Sequence, residues 1–161
     1  MIKNVTQQDI KQICEIYNHY VENTVITFEE ERVSLAEMKR RVNQISASYP
    51  FIVYKDNANV IGYAYASKFR KKSAYRFTVE STIYLAPESR KKGIGTKLYR
   101  SLIDKIKDYN FHAIIGVITI PNKGSQKLHK NLGFERVARL SEAGYKFDKW
   151  IDVEYWELTM D

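Results

Sequence analysis

The sequence contains a single cysteine and lacks any long hydrophobic segment. With only Cys14 among 161 residues, no internal disulfide can form, and we expect a reducing, cytoplasmic environment. The N-terminal stretch MIKNVTQQDI has none of the apolar core of a signal peptide, and no apolar run approaches the length of a membrane span. We therefore expect neither a targeting segment nor a membrane partner.

The chain also lacks the clusters that metal binding or covalent catalysis would need. Its three histidines, His19, His112 and His129, are scattered along the sequence, and with one cysteine they form no metal-ligand spacing. Cys14 falls in the apolar stripe of a predicted helix, which favours a core thiol over a nucleophile. No serine or cysteine has the surroundings of an activated nucleophile, so we expect neither a metal nor an acyl-enzyme.

Repeats, low-complexity tracts and linkers are absent, so we expect one domain over residues 1–161. Apolar residues at helical spacing follow Thr6 and Ser34, and they recur after Gly93 and after Asn122. Strand texture is found in IKNV, FIVYK, VIGYAYAS, AYRFTVESTIYL, FHAIIGVITI, FERVARL and DVEYWELTM. The resulting order βααβββαβαββ predicts an α/β fold, with a single mixed, mostly antiparallel sheet flanked by helices.

The positive charge of the chain is unevenly distributed. The net charge is +7, but residues 1–66 sum to −1 and residues 67–161 sum to +8. Such an excess is typical of a solvated basic face, of a nucleic-acid surface, or of a site for a small phosphorylated ligand. Charge alone does not choose among the three.

Five cations and two glycines fall in ESRKKGIGTKLYR, residues 88–100, at the entrance of a predicted helix. The first N–H groups of a helix are unpaired and carry partial positive charge, so they bind anions. Gly93 and Gly95 let the backbone approach such a ligand closely. The spacing excludes a P-loop, and Leu98 occupies the third glycine position of a dinucleotide fingerprint.

What this stretch does contain is R-x-x-G-x-G, formed by Arg90, Gly93 and Gly95 directly after a predicted strand. The motif resembles the acetyl-CoA pyrophosphate loop of the GNAT superfamily of N-acetyltransferases. Four blocks resemble the phosphinothricin acetyltransferase branch in the same order: IYNHYVENTVITFEEE, AYRFTVESTIYLAPESRKKGIGTKLY, IPNKGSQKLHKNLGF and AGYKFDKWIDVEYW. The resemblance implies an acyl-CoA N-acyltransferase fold, with acetyl-CoA as co-substrate and no metal.

The same resemblance implies three regions of contact with acetyl-CoA. The pantetheine would meet the backbone of Ile83, Tyr84 and Leu85, where two parallel strands diverge. Its arm would also contact Asn122, which is otherwise read as a helix cap. The pyrophosphate would be held by Arg90, Lys91, Lys92, Gly93, Ile94, Gly95, Thr96 and Lys97.

Acetyl transfer to an amine requires a base, because an amine with a pKa of roughly 9.5 needs about 3.4 kcal/mol to lose its proton at pH 7. Glu80 is the lone acid in FTVESTIY, and strand alternation places it on one face with Thr82 and Tyr84. It is compatible with an exposed carboxylate in a salt bridge. The resemblance implies instead that Glu80 is the general base, acting directly or through water.

The resemblance also gives a candidate near the departing thiolate. Superfamily members usually place a tyrosine four residues before the glycine of the G-F pair, whereas KLHKNLGF has His129 there. This agrees with the phosphinothricin branch. An imidazole can donate a proton where a tyrosine would, although a structural histidine fits the position too.

The acceptor is predicted to be a small amino-acid-like amine, such as phosphinothricin or methionine sulfone or sulfoximine, attacking directly in a ternary complex. Phe147 falls where the branch varies between polar and apolar residues, which leaves herbicide specificity open. Two other functions stay open: acetylation of protein N-termini or lysines, and nucleic-acid binding through KFRKKSAYRF. We expect no nucleic-acid partner, and the resemblance implies a homodimer. The resemblance implies substrate contacts at Phe28, Arg70, Lys72, Tyr75, Thr119 and Val153.

Overall fold

The computed structural model describes residues 1–89 and 93–161, and within these ranges it contains one seven-stranded sheet with four α-helices. The strands are β1 (Ile2–Asn4), β2 (Phe51–Asp56), β3 (Asn59–Lys68), β4 (Thr78–Leu85), β5 (Ala113–Thr119), β6 (Glu135–Lys146) and β7 (Lys149–Thr159). The helices are α1 (Ile10–Asn23), α2 (Leu35–Ser46), α3 (Ile94–Asp108) and α4 (Lys123–Asn131). The predicted order βααβββαβαββ is confirmed.

The sheet order is β1-β2-β3-β4-β5-β7-β6, and among the described residues only β4 and β5 pair in parallel. Their pairing runs from Thr78 opposite Ala113 to Ser81 opposite Gly116. Both strands then continue, β4 to Leu85 and β5 to Thr119, without pairing to each other. A gap therefore opens in the middle of the sheet.

Two apolar layers cover the sheet, and alternation along the strands assigns residues to each. In β4, Val79 and Ile83 pack in the cluster with Leu98 and Leu102 of α3, whereas Tyr84 packs in the cluster with α1 and α2. Burying each such large apolar side chain contributes about 1.5–3 kcal/mol. The predicted sharing of a face by Glu80, Thr82 and Tyr84 follows from the same alternation.

The predicted helix starts after Ser34 and Asn122 are observed, whereas Thr6 precedes a 3₁₀ turn, Gln7–Asp9, and α1 begins only at Ile10. Ser34 Oγ accepts a hydrogen bond from the Glu37 N–H at 3.1 Å, and Asn122 Oδ1 accepts one from the Ser125 N–H at 3.2 Å. These bonds satisfy amide groups that have no partner within the first helical turn. The Asn122 cap fixes where α4 begins, beside the gap.

Two strand boundaries differ from the prediction. The stretch AYRFTVESTIYL was predicted to be strand throughout, but β4 begins only at Thr78, and Ser73–Tyr75 forms a 3₁₀ turn. The neighbouring strand β3 ends at Lys68, which pairs with Val79, so earlier residues have no ladder partner.

The second difference is the length of the β6–β7 hairpin, which runs through the stretch AGYKFDKW. The two strands turn at Phe147 and Asp148, which have φ values of +52° and +57°. A two-residue hairpin turn of type I′ requires positive φ at both positions, and Asn-Gly or Asp-Gly is its usual sequence signal. Because Phe-Asp lacks that signal, the pattern did not predict the turn.

Candidate active site

A cavity of about 920 Å³ lies at the gap between β4 and β5. It is lined by both strands, by the start of α3, by α4, by the loop after α1 and by the β6–β7 hairpin. Predicted site residues that line it are Phe28, Glu80, Ile83, Tyr84, Leu85, Gly93, Gly95, Thr96, Thr119, Asn122, His129 and Val153. The fold thus brings most of the described predicted residues together.

Some predicted residues do not line this cavity. Ile94, the first residue of α3, is buried, and Lys97 is exposed. Arg70, Lys72 and Tyr75 are exposed on the segment that precedes β4. The predicted pyrophosphate ligands Arg90, Lys91 and Lys92 lie outside the described residues.

The backbone of β4 forms one edge of the gap. The Ala86 N–H donates to the Ile61 carbonyl at 3.0 Å, so the even-numbered residues of β4 direct their backbone groups to β3. In a strand, the backbone N–H and C=O groups of successive residues point to opposite edges, so those of the odd-numbered residues point away from β3. The N–H and C=O groups of Ile83 and Leu85 therefore face the gap, whereas those of Tyr84 face β3.

On the opposite side, β5 presents its backbone in the same manner. The Ile120 N–H donates to the Asp152 carbonyl at 2.9 Å, which assigns the even-numbered residues of β5 to its pairing with β7. Val117 and Thr119 consequently direct their backbone groups toward β4. An extended ligand with amide groups can pair with such edges as an added strand would.

The start of α3 closes one end of the cavity. Gly93 is the N-cap residue and has φ +73°, a left-handed conformation that side chains disfavour. A Cβ at this position would meet nothing within 4 Å, so the need for glycine is conformational rather than steric. The N–H groups of this first turn have no partner within the helix, and they give the cavity an anion-binding end.

Glu80 lies on the face of the sheet that carries Thr82, and its side chain is half-buried. Burial raises the pKa of its carboxyl, and the Arg70 guanidinium opposes this rise through space. Within the described part of the chain, no side chain forms an ion pair with Glu80. A partly desolvated carboxylate without an ionic partner is a stronger base than an exposed one.

His129 is buried at the apex of the gap, with 4% of its surface exposed. Its Nδ1–H donates to the Ser125 carbonyl at 2.7 Å, which leaves Nε2 as an acceptor. The Tyr99 hydroxyl donates to Nε2 at 3.0 Å, and the Ser81 hydroxyl lies 2.5 Å from that of Tyr99. Burial lowers the pKa of His129, so the ring is neutral near pH 7.

Gly116 brings this network against the sheet. A Cβ at Gly116 would lie 2.5 Å from His129 Nε2, closer than any side chain allows. Gly116 is also the last residue of β5 that pairs with β4. The hydrogen-bonded side chains of Ser81, Tyr99 and His129 therefore lie at the point where β4 and β5 separate.

The other side of the cavity is lined by residues on the same face as Glu80. They include Val117 and Thr119 from β5, with Val153 and Tyr155 opposite them on β7. The Thr119 hydroxyl is buried and has no hydrogen-bond partner among the described residues. Since an unpaired buried hydroxyl costs about 1–3 kcal/mol, a polar ligand group would gain by bonding to it.

Sequence reasoning missed three tyrosines at this site. Tyr155 lines the cavity, and the Arg70 guanidinium lies beside its hydroxyl, a contact that raises the pKa of Arg70. Tyr20 donates its hydroxyl to the Leu85 carbonyl at the gap. Tyr155 could have been identified because it is two residues from Val153 in the same strand and so shares its face. Tyr20 and Tyr99 instead fall at the helical spacing of ordinary core residues.

In residues 1–89 and 93–161, no group of three His, Cys, Asp or Glu side chains is arranged to hold a metal ion. Over the same ranges, no helix combines the length and the apolar character needed to cross a membrane.

Comparison with known proteins gives consistent matches in sequence and in fold. The sequence model of a family described as "Acetyltransferase (GNAT) domain" matches residues 2–155. A phosphinothricin N-acetyltransferase of Streptomyces viridochromogenes is 33% identical over 156 residues, covering 97% of this chain and 85% of the relative. The L-amino acid N-acyltransferase MnaT of Escherichia coli is 34% identical, covering 99% and 94%.

Among solved structures, a GNAT superfamily phosphinothricin acetyltransferase from Sinorhizobium meliloti, in complex with acetyl-CoA, matches with a TM-score of 0.96. It is 39% identical, and the match covers 99% of this chain and 88% of that one.

Proposed function

The chain belongs to the GNAT acetyltransferase family and is an acetyl-CoA-dependent N-acetyltransferase, and from this premise we propose that its acceptor is the amine of a small amino-acid-like molecule. The class includes phosphinothricin and the methionine sulfone and sulfoximine type. One observation carries the proposal: a single cavity joins Glu80, open strand backbone and a helix N-terminus. That arrangement suits an amine at one end and a phosphorylated acyl carrier at the other.

Acetyl-CoA is the substrate that supplies an activated acetyl group as a thioester. We propose that its pyrophosphate lies at the start of α3, against Gly93, Gly95 and Thr96, with Arg90–Lys92, Ile94 and Lys97 contributing nearby. Its pantetheine would follow the exposed backbone of Ile83 and Leu85, with Tyr84 between them and Asn122 opposite. The opening between the strands supports this proposal, because an extended diamide matches a strand edge.

Glu80 is proposed to be the general base. It would take a proton from the acceptor ammonium, directly or through one water, and free the lone pair for attack on the thioester carbonyl. The raised pKa of Glu80 supports this role, since a carboxyl matched more closely to neutral pH accepts a proton more effectively.

His129 is proposed to take part at the apex, where the departing thiolate must be accommodated. Donation from Nε2 would require a second proton on the ring, which burial disfavours. We therefore propose that the neutral ring orients the Tyr99 hydroxyl, which donates to Nε2 at 3.0 Å. The C–S bond of the thioester would break as the amine adds, and the coenzyme A thiolate would take its proton from water.

The acceptor's carboxylate is proposed to bind near Arg70, beside Tyr155, with Lys72 adding positive charge. Phe28, Tyr75, Thr119 and Val153 are proposed as the walls of this end. The electrostatic action of Arg70 on Glu80 supports the arrangement, because an amino acid carries both an anionic and a cationic group.

A thiol-release assay over a panel of amines tests the proposed acceptor class. The panel comprises phosphinothricin, methionine sulfone, methionine sulfoximine, a polyamine, an aminoglycoside and short peptides. We expect the free amino-acid analogues to give the highest kcat/KM.

Two results would contradict the proposal in different ways. Preferred turnover of peptides would indicate acetylation of protein N-termini or lysines. Tight acetyl-CoA binding by calorimetry, without turnover of any free amino-acid analogue, would refute the acceptor class and leave the cofactor site standing.

A further inference from the structure

A lysine is buried in the β6–β7 hairpin, outside the proposed machinery. Lys146 is 1% exposed, although lysine is almost never fully buried unless its charge is paired. Its Nζ donates to the Thr27 carbonyl at 2.9 Å and lies 5.0 Å from the centre of the Phe147 ring. Burial lowers the pKa of the ammonium, and the carboxylates of Glu30 and Glu29 oppose this.

The lysine's hydrogen-bond acceptor belongs to the loop that follows α1. Thr27 is buried, and its hydroxyl bonds to the Tyr17 hydroxyl at 2.9 Å. The Glu29 N–H donates to the same Thr27 hydroxyl at 3.3 Å. The loop is thus held at Thr27 from two sides, by α1 through Tyr17 and by the hairpin through Lys146.

Phe28, the next residue of this loop, packs on bare backbone of the same hairpin. A Cβ at Gly144 would lie 2.2 Å from Phe28 Cζ, so the ring occupies the space that any side chain would need. Gly144 does not have positive φ, and its need for glycine is therefore one of space. Gly144 and Lys146 are two residues apart in β6, which places both on the face that meets the loop.

We propose that Gly144 and Lys146 are positioning residues that hold Phe28 over the acceptor end of the cavity, so that the β6–β7 hairpin sets acceptor specificity. The proposal rests on the proposed function, because Phe28 matters here only if that end receives the amine. Neither residue lines the cavity itself. Their influence passes through Thr27 and Phe28.

Lys146→Met is the first test, since methionine keeps most of the apolar stem and removes the donor. We expect the acceptor KM to rise about ten-fold, because the loop that carries Phe28 loses its hydrogen bond to the hairpin. The KM of acetyl-CoA should change little. Lys146→Arg retains a cationic donor and should recover part of the loss.

A double-mutant cycle between Gly144→Ala and Phe28→Ala tests the steric half of the proposal. Gly144→Ala alone should raise the acceptor KM, because the methyl group displaces the Phe28 ring. Once Phe28 is alanine, the same change should have little further effect. Equal effects in both backgrounds would overturn the proposed route through Phe28.

Hydrogen exchange in the protein without substrates separates this proposal from the proposed function. In Lys146→Met, amides of residues 24–33 should exchange faster than in the unmodified chain, whereas those of α3 should not change. Unchanged exchange of the loop would overturn the positioning role, whatever the acceptor. Faster loop exchange in a protein that acetylates no free amino-acid analogue would sustain the positioning role and refute the acceptor class.

Discussion

Glu80 can serve as a base because the fold keeps it partly desolvated and away from an ionic partner. In an ordinary exposed strand, a carboxylate pairs with a neighbouring lysine or is fully hydrated, and either situation keeps its pKa low. Here burial raises the pKa of Glu80, and among the described residues only the charge of the Arg70 guanidinium opposes this rise. The partial burial of Glu80 on the sheet face therefore determines how well it can accept a proton in the reaction.

This arrangement predicts the pH dependence of kcat/KM. A base works when deprotonated, so activity should fall as pH decreases through the Glu80 pKa, which lies above its usual 4.5. Removing the cation in Arg70→Gln should raise that pKa further and move the acidic limb to higher pH.

Glu80→Gln should abolish the limb and lower kcat by about 10²–10⁴-fold.

Steady-state kinetics across pH checks these expectations, with acetyl-CoA affinity measured by calorimetry as the control. The affinity should be nearly the same in the unmodified chain and in Glu80→Gln, because the carboxylate does not belong to the acetyl-CoA end of the cavity. An acidic limb that persists in Glu80→Gln would assign the base to another group.

At the scale of elements, the site exists because β4 and β5 pair for only part of their length. Pairing ends at Ser81 and Gly116, and α4 places the His129 ring against Gly116 at that point. The opening and the histidine network therefore depend on the same close approach of a helix to a strand. Gly116 is the residue that permits it.

Gly116→Ala should disturb the apex without touching either proposed substrate end. The new methyl group would lie 2.5 Å from His129 Nε2 and 2.7 Å from Cδ2, so the ring must move and lose its bond to Tyr99. Overpacking of this kind costs about 1–3 kcal/mol of stability. We expect a lower melting temperature and a kcat reduced by at least about ten-fold, with little change in either KM.

Gly124→Ala in α4 is the matched control. A methyl group there would meet no atom closer than 4.0 Å, and alanine is favoured over glycine within a helix. Gly124 also lines the cavity, so this variant is a control for stability alone, which should be unchanged or slightly higher. If Gly116→Ala leaves kcat unchanged, the apex network has no part in turnover.

Element order, helix starts and the family were all predictable, because they depend on local periodicity, capping residues and motif spacing. The GNAT resemblance drawn from Arg90, Gly93 and Gly95 is confirmed by the matched family. Buried charges were not predictable. Charged side chains in strands ordinarily face solvent, yet Lys146 and Glu154 are both buried. Glu154 accepts hydrogen bonds from Gln126, Arg136 and Trp156.

At the scale of the whole molecule, the two faces of the β6–β7 hairpin differ sharply. The inner face carries Gly144 and Lys146 against the loop, whereas Tyr145 and Trp150 are 49% and 64% exposed on the outer face. Their rings form a cross-strand pair with centroids 4.8 Å apart. Among the described residues, β6 is also the last strand on its side of the sheet, and its outer edge pairs with no other strand.

We propose that this outer face is the contact surface of a homodimer. Tryptophan and tyrosine are enriched among the residues that dominate the binding energy of protein interfaces. The partner we infer is a second copy of the chain.

Sedimentation analysis over a range of concentrations tests the dimer. We expect a dimer for the unmodified chain, and we expect Tyr145→Ser with Trp150→Ser to shift it to monomer. Tyr109→Ser, which changes an aromatic side chain 52% exposed at the end of α3, should leave the dimer intact. Acetyl-CoA affinity should survive in all three proteins, because the proposed diphosphate and pantetheine contacts lie on β4, α3 and α4. A protein that remains monomeric at every concentration would leave the exposed pair without this role.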